Sequence, residues 1–458
     1  MARKAPLKAG VAQVDITPGM GIQIAGDIGR RRPAELVIEP IYARALVLEA
    51  GGRKLCFLSC DLAVITRKWA DQVRQRASEK FGFEPQAVMV HAVQNHAAPG
   101  IGSFMVSEEC PLLSPDLWWV RGDDPRYNPF AVERMLEAIE RAHAALVPAW
   151  FGAASGIEAR VAFNRRFVMR DGTVRTHPWG QDLLNVLHAE GPIDPELGVV
   201  CFSSESARPL AMLLHYTCHP VHGYPHRYVI GGWPGVWCER MQTAYGGHCV
   251  PLVLNGCCGN VHHAHHLDAS YVDDHRRMGQ LLAETAHGVL KTVRYQNEAV
   301  LDWRCARLNI PLREPDQTEV EKARKLIEMH PSPMWRDAER TAIEWDWVYA
   351  AALLDLCDAR RRSAESEYEI QAFRVGDIAF VGLPGEPFVQ GQLQIKQKSP
   401  VRHTYVAHMC NDCAGYIPTK EAMERGGYET RTANWSKLAP EALDMIVNET
   451  AGLLRELF

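Results

Sequence analysis

No apolar run approaches the ~18 residues that a membrane-spanning helix needs, which excludes that class. The opening residues, MARKAPLKAGVAQVDITPG, are basic but lack the apolar segment of a secretory signal. Positive charge is not in surplus: 50 Lys and Arg stand against 55 Asp and Glu, a net charge of −5. The basic surplus or stripe of a nucleic-acid binder is therefore missing. So are several reaction motifs. There is no G-x-S-x-G elbow for a hydrolase serine, no G-x-x-x-x-G-K-[ST] phosphate loop and no H-E-x-x-H helix. NGCCGN lacks the glycine spacing of a dinucleotide fingerprint. The C-x-x-C of Cys410 and Cys413 has no second pair at the spacing a zinc ribbon requires. The 13 cysteines are an odd number, and Cys56, Cys60, Cys201 and Cys249 sit inside apolar, strand-like runs. Free buried thiols in a reducing cytoplasm are the expectation.

What is present is an ordinary globular composition: 458 residues, 47% hydrophobic and 23% charged. Short apolar runs alternate with amphipathic stretches. ARALVLEAGGRKLCFLSCDLAVI reads as two strands about a Gly-Gly turn, and RKWADQVRQRASEKFG as a helix closed by Gly82. QAVMVHAV, LGVVCFSS, LAMLLHY and CVPLVLN read as strands. NPFAVERMLEAIERAHAALV, DDHRRMGQLLAETAHGVLKTV (capped by Asp273 or Asp274) and APEALDMIVNETAGLLREL read as helices. The pattern predicts an α/β fold of mixed sheets flanked by helices. Residues 316–367 differ: charged, helical in period and carrying Trp335, Trp345 and Trp347, they read as a helical insertion over the main body. No Pro/Gly/Ser linker divides the chain, so residues 1–458 are expected to form one domain.

Polar residues gather where the apolar runs stop, which is where reactive groups collect in α/β folds. These ends are QNHAAPG, FNRRF, LHYTCHPVHGYPH, NGCCGNVHHAHH, GLPGEPF and NDCAGYIPTKEAMERGGYE. His219 ends a strand before Pro220, and a lone imidazole there is more often a hydrogen-bonded core residue than a ligand. Glu386, between a glycine turn and a proline after IAFVGL, is costly to bury without a cation. His262, His263, His265 and His266 form a cluster that suits a metal or a polar, substrate-facing loop, and the second reading is preferred.

Taken in order, these segments resemble one family, the neutral/alkaline ceramidase-type amidases and their bacterial relatives. AGVAQVDITPG, IYARALVLEAGGRKLCFLSCDL, FNRR, HYTCHPV, LVLNGCCGNV, VGDIAFVGLPGEPF and GYIPTKEAMERGGYE each resemble a family segment, the last two most closely. In that family two histidines, a glutamate and a tyrosine hold a zinc ion that activates water against an amide. The resemblance implies His219, Glu386 and Tyr416 as ligands. It sets Gln94 where the family's H-T-H-S-G-P segment has its first ligand histidine, and His96 where the second faces substrate. Arg165 and Tyr428 match the groups beside the scissile carbonyl, while His222, His263 and Asn255 are expected to contact substrate.

Gln94 is the principal departure, because an amide is a far poorer zinc ligand than imidazole. Three outcomes follow: its oxygen ligates a harder metal, it bonds a water while three ligands remain, or metal is lost. A retained divalent metal, zinc by resemblance, is favoured because the other three donors persist. Strand alternation places Gln94 and His96 on one face and His91 on the other. The expected activity is hydrolysis of an amide, lactam or ester in a small polar metabolite. A lyase or isomerase reaction on a sugar-like substrate and a non-catalytic binding protein are the alternatives. The expected partner is that small molecule, with no nucleic acid and no membrane; the sequence sets no oligomeric state.

Overall fold

The computed structural model describes residues 4–204 and 208–458, so the first three residues of the opening stretch lie outside the described residues. Three mixed sheets form the body. The first runs Val88–Ala92, Arg53–Cys60, Tyr42–Ala50, Lys8–Asp15 and Val147–Pro148. The second runs Val250–Asn255, Pro209–Tyr216, Glu196–Ser203 and Trp150–Ile157. The third runs Leu301–Pro311, Glu365–Val375, Ile378–Gly382 and His403–Ala407. Strands such as Tyr42–Ala50, Val250–Asn255 and Ile378–Gly382 are covered on both faces and read as near-continuous apolar runs, whereas Leu301–Pro311 stays partly exposed. Inner faces of all three sheets meet in one core that contains Leu46, Phe57, Leu213, Leu252, Phe373 and Phe380. Burying side chains of this size stabilises by about 1.5–3 kcal/mol each.

Helices cover the outer faces. Arg67–Phe81 and Asn128–Ala144 back the first sheet, Gly232–Tyr245 and His275–Leu290 the second, and Val389–Lys398 and Ala442–Leu457 the third. Local chemistry sets their ends. Gly82 closes the first of them in the left-handed region at φ 68°. Asp274, rather than Asp273, caps His275–Leu290 by accepting from the Arg276 and Arg277 amides.

The segment expected to be an insertion holds two helices, Gln317–Met329 and Trp345–Arg362, and strand structure resumes at Glu365, slightly before the expected boundary at 367. Asp316 caps the first helix, and the buried Trp347 indole donates to the His330 carbonyl at 2.9 Å. Trp347 and Val348 pack on Ile28, Met105, Leu113 and Trp435, which fastens the pair over one end of the sheets.

Each sheet contains a single parallel pair: Arg53–Cys60 with Val88–Ala92, Pro209–Tyr216 with Val250–Asn255, and Ile378–Gly382 with His403–Ala407. Parallel neighbours release their loops at the same end. Gln94, His96, His219, Glu386 and Tyr416 all lie in segments that follow a strand of one of these pairs. The fold therefore collects residues far apart in sequence at the carboxyl ends of parallel strands, where open α/β sheets bind ligands.

Candidate active site

Three short pairings assemble the site. Glu386–Pro387 runs parallel to Tyr416–Ile417 with Glu386 directly opposite Tyr416. His219 bridges to His262, and Val261–His262 pairs with Phe163–Asn164, which delivers Arg165. The Glu386 amide donates to the Gly415 carbonyl at 2.8 Å and the Tyr416 amide to the Trp435 carbonyl at 2.7 Å. Gly415 must be glycine: its φ is +77°, and a Cβ would lie 2.5 Å from the Trp435 carbonyl carbon and oxygen.

The result is a cavity of about 340 Å³ whose lining includes Gln94, His96, Arg165, His219, Glu386, Tyr416 and Tyr428. Ile28, Phe104, Met105, Trp345 and Trp435 supply apolar wall. Seven of the ten residues singled out in the sequence thus meet in one place. The other three do not. Asn255 is fully buried outside the lining: its Nδ2 donates to the Val93 and Cys218 carbonyls at 3.0 Å, and its Oδ1 accepts from the Cys218 amide at 3.2 Å. It ties strand ends together and has nothing left for a substrate. His222 and His263 stack on one another, ring centroids 3.6 Å apart, and line a separate pocket with Tyr271 and Asp274.

The cluster residue that does line the cavity is His262, whose ring centroid lies 4.2 Å from that of His263. His177 lines it as well and carried no sequence signal; its φ of 55° is unusual outside glycine. The alternation argument for Gln94 and His96 also needs correction. The strand stops at Ala92 and Gln94 is left-handed at φ 69°, so period-2 alternation does not extend that far. Both side chains reach the cavity through that turn. His91 stays in the core, its Nδ1 donating to the His408 carbonyl at 2.8 Å and its Nε2 accepting from the Asn255 amide at 3.1 Å.

Electrostatics at the cavity are dominated by burial. Desolvation pushes the Glu386 carboxyl up to about 7, against the Arg165 charge and hydrogen bonds from Gln94 and Tyr416. Its Oε2 has no hydrogen-bond partner and lies 3.9 Å from His219 Nε2. Burial pushes His96 down to about 3, helped by Arg32 and Arg165, and holds His219 neutral. The Tyr416 and Tyr428 phenols are raised, first by burial and then by Glu386 and Tyr416 respectively, so both keep their protons at neutral pH. Their rings meet edge-on at 5.7 Å. Burial works against the Arg165 guanidinium, but Tyr416, Glu429 and Glu386 outweigh it and keep it charged. Arg165 is held by Glu429 at 2.9 Å and by the Gly259 carbonyl at 2.7 Å.

These donors fit a divalent cation. His219 Nδ1 lies 3.4 Å from the Cys258 carbonyl, which only accepts, so Nδ1 carries the proton and Nε2 presents a lone pair. Metal-ligating histidines are oriented this way. Beside it stands an unpartnered, buried carboxylate oxygen, and directly across from Glu386 is a phenol. His177, His262 and His266 also bring three ring nitrogens within 4.8 Å of one another, as do His222, His263 and Asp273 with two nitrogens and a carboxylate oxygen. In the first group His262 Nδ1 accepts from the Ala264 amide at 2.9 Å. Its Nε2 therefore carries the proton and acts as a donor rather than a ligand. Cys410 and Cys413 hold no knuckle: Cys410 is buried against the His408 carbonyl, Cys413 lines the cavity, and all 13 cysteines are free.

A three-sheet α/β body with a buried polar cavity at its parallel strand ends defines a ceramidase-like fold. Two solved structures establish the likeness. One is neutral ceramidase from Pseudomonas aeruginosa, with a TM-score of 0.73 and 18% identity over 99% of this chain and 74% of that chain. The other is a ceramidase complexed with C2, with a TM-score of 0.72 and 16% identity over 99% of this chain and 75% of that chain. No protein-family model matches the sequence, and no curated protein matches it.

Proposed function

We propose that this protein is a metal-dependent hydrolase of an amide, lactam or ester bond in a small molecule. The carrying observation is the convergence of His219, Glu386, Tyr416, Arg165 and Tyr428 on one cavity of about 340 Å³. His219, Glu386 and Tyr416 would hold the ion, with Gln94 beside them. When bound, a divalent ion polarises a carbonyl and acidifies water. Arg165, immobilised by Glu429, and the protonated Tyr428 hydroxyl supply positive electrostatics where an oxyanion develops. His262, protonated at Nε2, offers a further donor. Trp345, Trp435 and Phe104 limit the water that reaches these groups, which strengthens every charge interaction inside.

A cavity of this volume suits a compact substrate rather than a two-chain lipid. No described helix is long and apolar enough to cross a membrane. A small molecule is therefore the proposed partner, with neither nucleic acid nor membrane required, and the thiol-rich chain is assigned to the cytoplasm. Zinc is the proposed ion, given the imidazole and carboxylate donors.

Elemental analysis of the purified protein, paired with turnover of a panel of acyl amides, lactams and esters in the presence and absence of chelator, tests this reading. One equivalent of metal and chelator-sensitive release of acid are expected; full turnover in chelator sinks it. Within the panel, Tyr428→Phe keeps the ring contact with Tyr416 and removes one donor. Its kcat is expected to fall by about 10²–10³-fold, with KM little changed. An unaltered kcat removes Tyr428 from the chemistry.

A further inference from the structure

We infer that His96, not Gln94, provides the second imidazole to the metal ion; the inference rests on the metal-dependent reading above. Two backbone carbonyls carry it. A ring nitrogen bonded to a carbonyl oxygen must carry the proton, because the oxygen only accepts. His96 Nδ1 lies 3.0 Å from the Gly26 carbonyl, and His219 Nδ1 lies 3.4 Å from that of Cys258. In each neutral ring Nε2 is then a bare lone pair. Those two Nε2 atoms stand 2.9 Å apart, and neither can donate to the other. Facing lone pairs at this distance repel unless a cation lies between them.

The rings are not free to swing apart. The His96 amide donates to the Pro220 carbonyl at 3.1 Å, next to His219 in sequence. Gly26, at φ +86°, lies so close that a Cβ would sit 2.4 Å from His96 Nδ1. Two nitrogens bound tetrahedrally to one zinc at about 2.0–2.1 Å are about 3.3 Å apart, so a small outward shift of the two rings, which stand 2.9 Å apart, admits the ion. Glu386 Oε2, unpartnered and 3.9 Å from His219 Nε2, is the acidic donor.

Gln94 is engaged elsewhere. Its Oε1 accepts from the Cys258 thiol at 3.6 Å, and its side chain donates to the Glu386 carboxylate. It is a positioning residue for Glu386. The imidazole that the ceramidase pattern places at position 94 is thus replaced by one two residues further on. A proton shared between the rings is the other cation that would relieve the contact.

Competition titration of the full-length protein with Zn(II) against a chromophoric chelator, and the visible spectrum of the Co(II) form, separate these cases. His96→Ala is expected to weaken Zn(II) binding at least about 100-fold and Gln94→Ala by less than about tenfold. His96→Cys restores binding and adds a thiolate-to-cobalt charge-transfer band, which guards against an alanine variant that fails to fold. The inference is overturned if His96→Ala binds Zn(II) like the wild type, or if Gln94→Ala alone loses the ion. A wild-type protein that takes up no metal overturns the inference together with the metal-dependent reading, leaving the shared proton. Metal uptake by wild type and His96→Ala alike leaves that reading standing.

Discussion

Below about pH 6.5 this protein loses stability with a slope several times the ~1.4 kcal/mol per pH unit of a single titrating group. The cause is the number of imidazoles buried in the neutral form. Burial holds His222, His262 and His408 well below the ordinary histidine value, and pushes His91 and His263 down to about 3. His91 shows why protonation is not tolerated: its Nε2 accepts the Asn255 amide, and a proton there would break the link between the first and second sheets. The folded values are depressed, so as pH falls through ~6.5 the unfolded chain binds more protons than the folded one. The stability is therefore complete above that pH and is lost on acidification. Glu386, raised to about 7, acts in the opposite direction, favouring the folded state at low pH. It is one group against several. Urea midpoints measured across a pH series check this, and a flat profile through the histidine range contradicts it.

Glu429→Gln is expected to destabilise the protein by about 3–5 kcal/mol and to remove activity. Glu429 is wholly buried and shared by two buried arginines: Oε1 accepts from Arg165 Nε at 2.9 Å, and Oε2 from Arg166 Nη1 at 2.7 Å. Thr176 adds a hydroxyl donor at 2.8 Å. Burial opposes the carboxylate, yet Arg165 and Arg166 hold it below the usual range. Arg166 keeps Glu190 as a second partner, but Arg165 would be left with the Gly259 carbonyl and the neighbouring Tyr416 ring. A buried guanidinium without its counter-charge then disturbs both the fold and the wall of the cavity. A lower urea midpoint at unchanged slope, with loss of turnover, is the expected result. A change under ~1 kcal/mol would mean that the pair is worth no more than a surface bridge.

Much of the architecture was legible because the signals are local. Gly82 stops its helix as expected, and an acidic cap opens His275–Leu290. Continuous apolar runs such as LAMLLHY became two-faced strands. Glu386 stood out because a carboxylate in an apolar setting is costly to bury without a cation; its Oε2 is buried and unpartnered. His263 was chosen over His262 because only the packing of the folded loop decides which of these two adjacent rings meets the cavity. Asn255 sits in a motif that looks reactive, but three backbone partners absorb it. His177 arrives from a loop with no pattern at all.

The amino-acid sequence by itself determined where chain segments become strands and helices, and which polar residues stand at the strand ends. Periodicity, caps and glycines act within a few residues, so one chain suffices to read them. Tertiary structure alone decided which of those residues share a cavity. It also decided which nitrogen of each imidazole carries its proton. Gly26 and Cys258 lend the carbonyls that turn His96 and His219 toward one another, and both carbonyls come from segments distant in sequence from the rings they orient. A left-handed Gln94 then places its amide on Glu386. Such tautomers and turns are set by contacts between remote segments, and no local pattern encodes them.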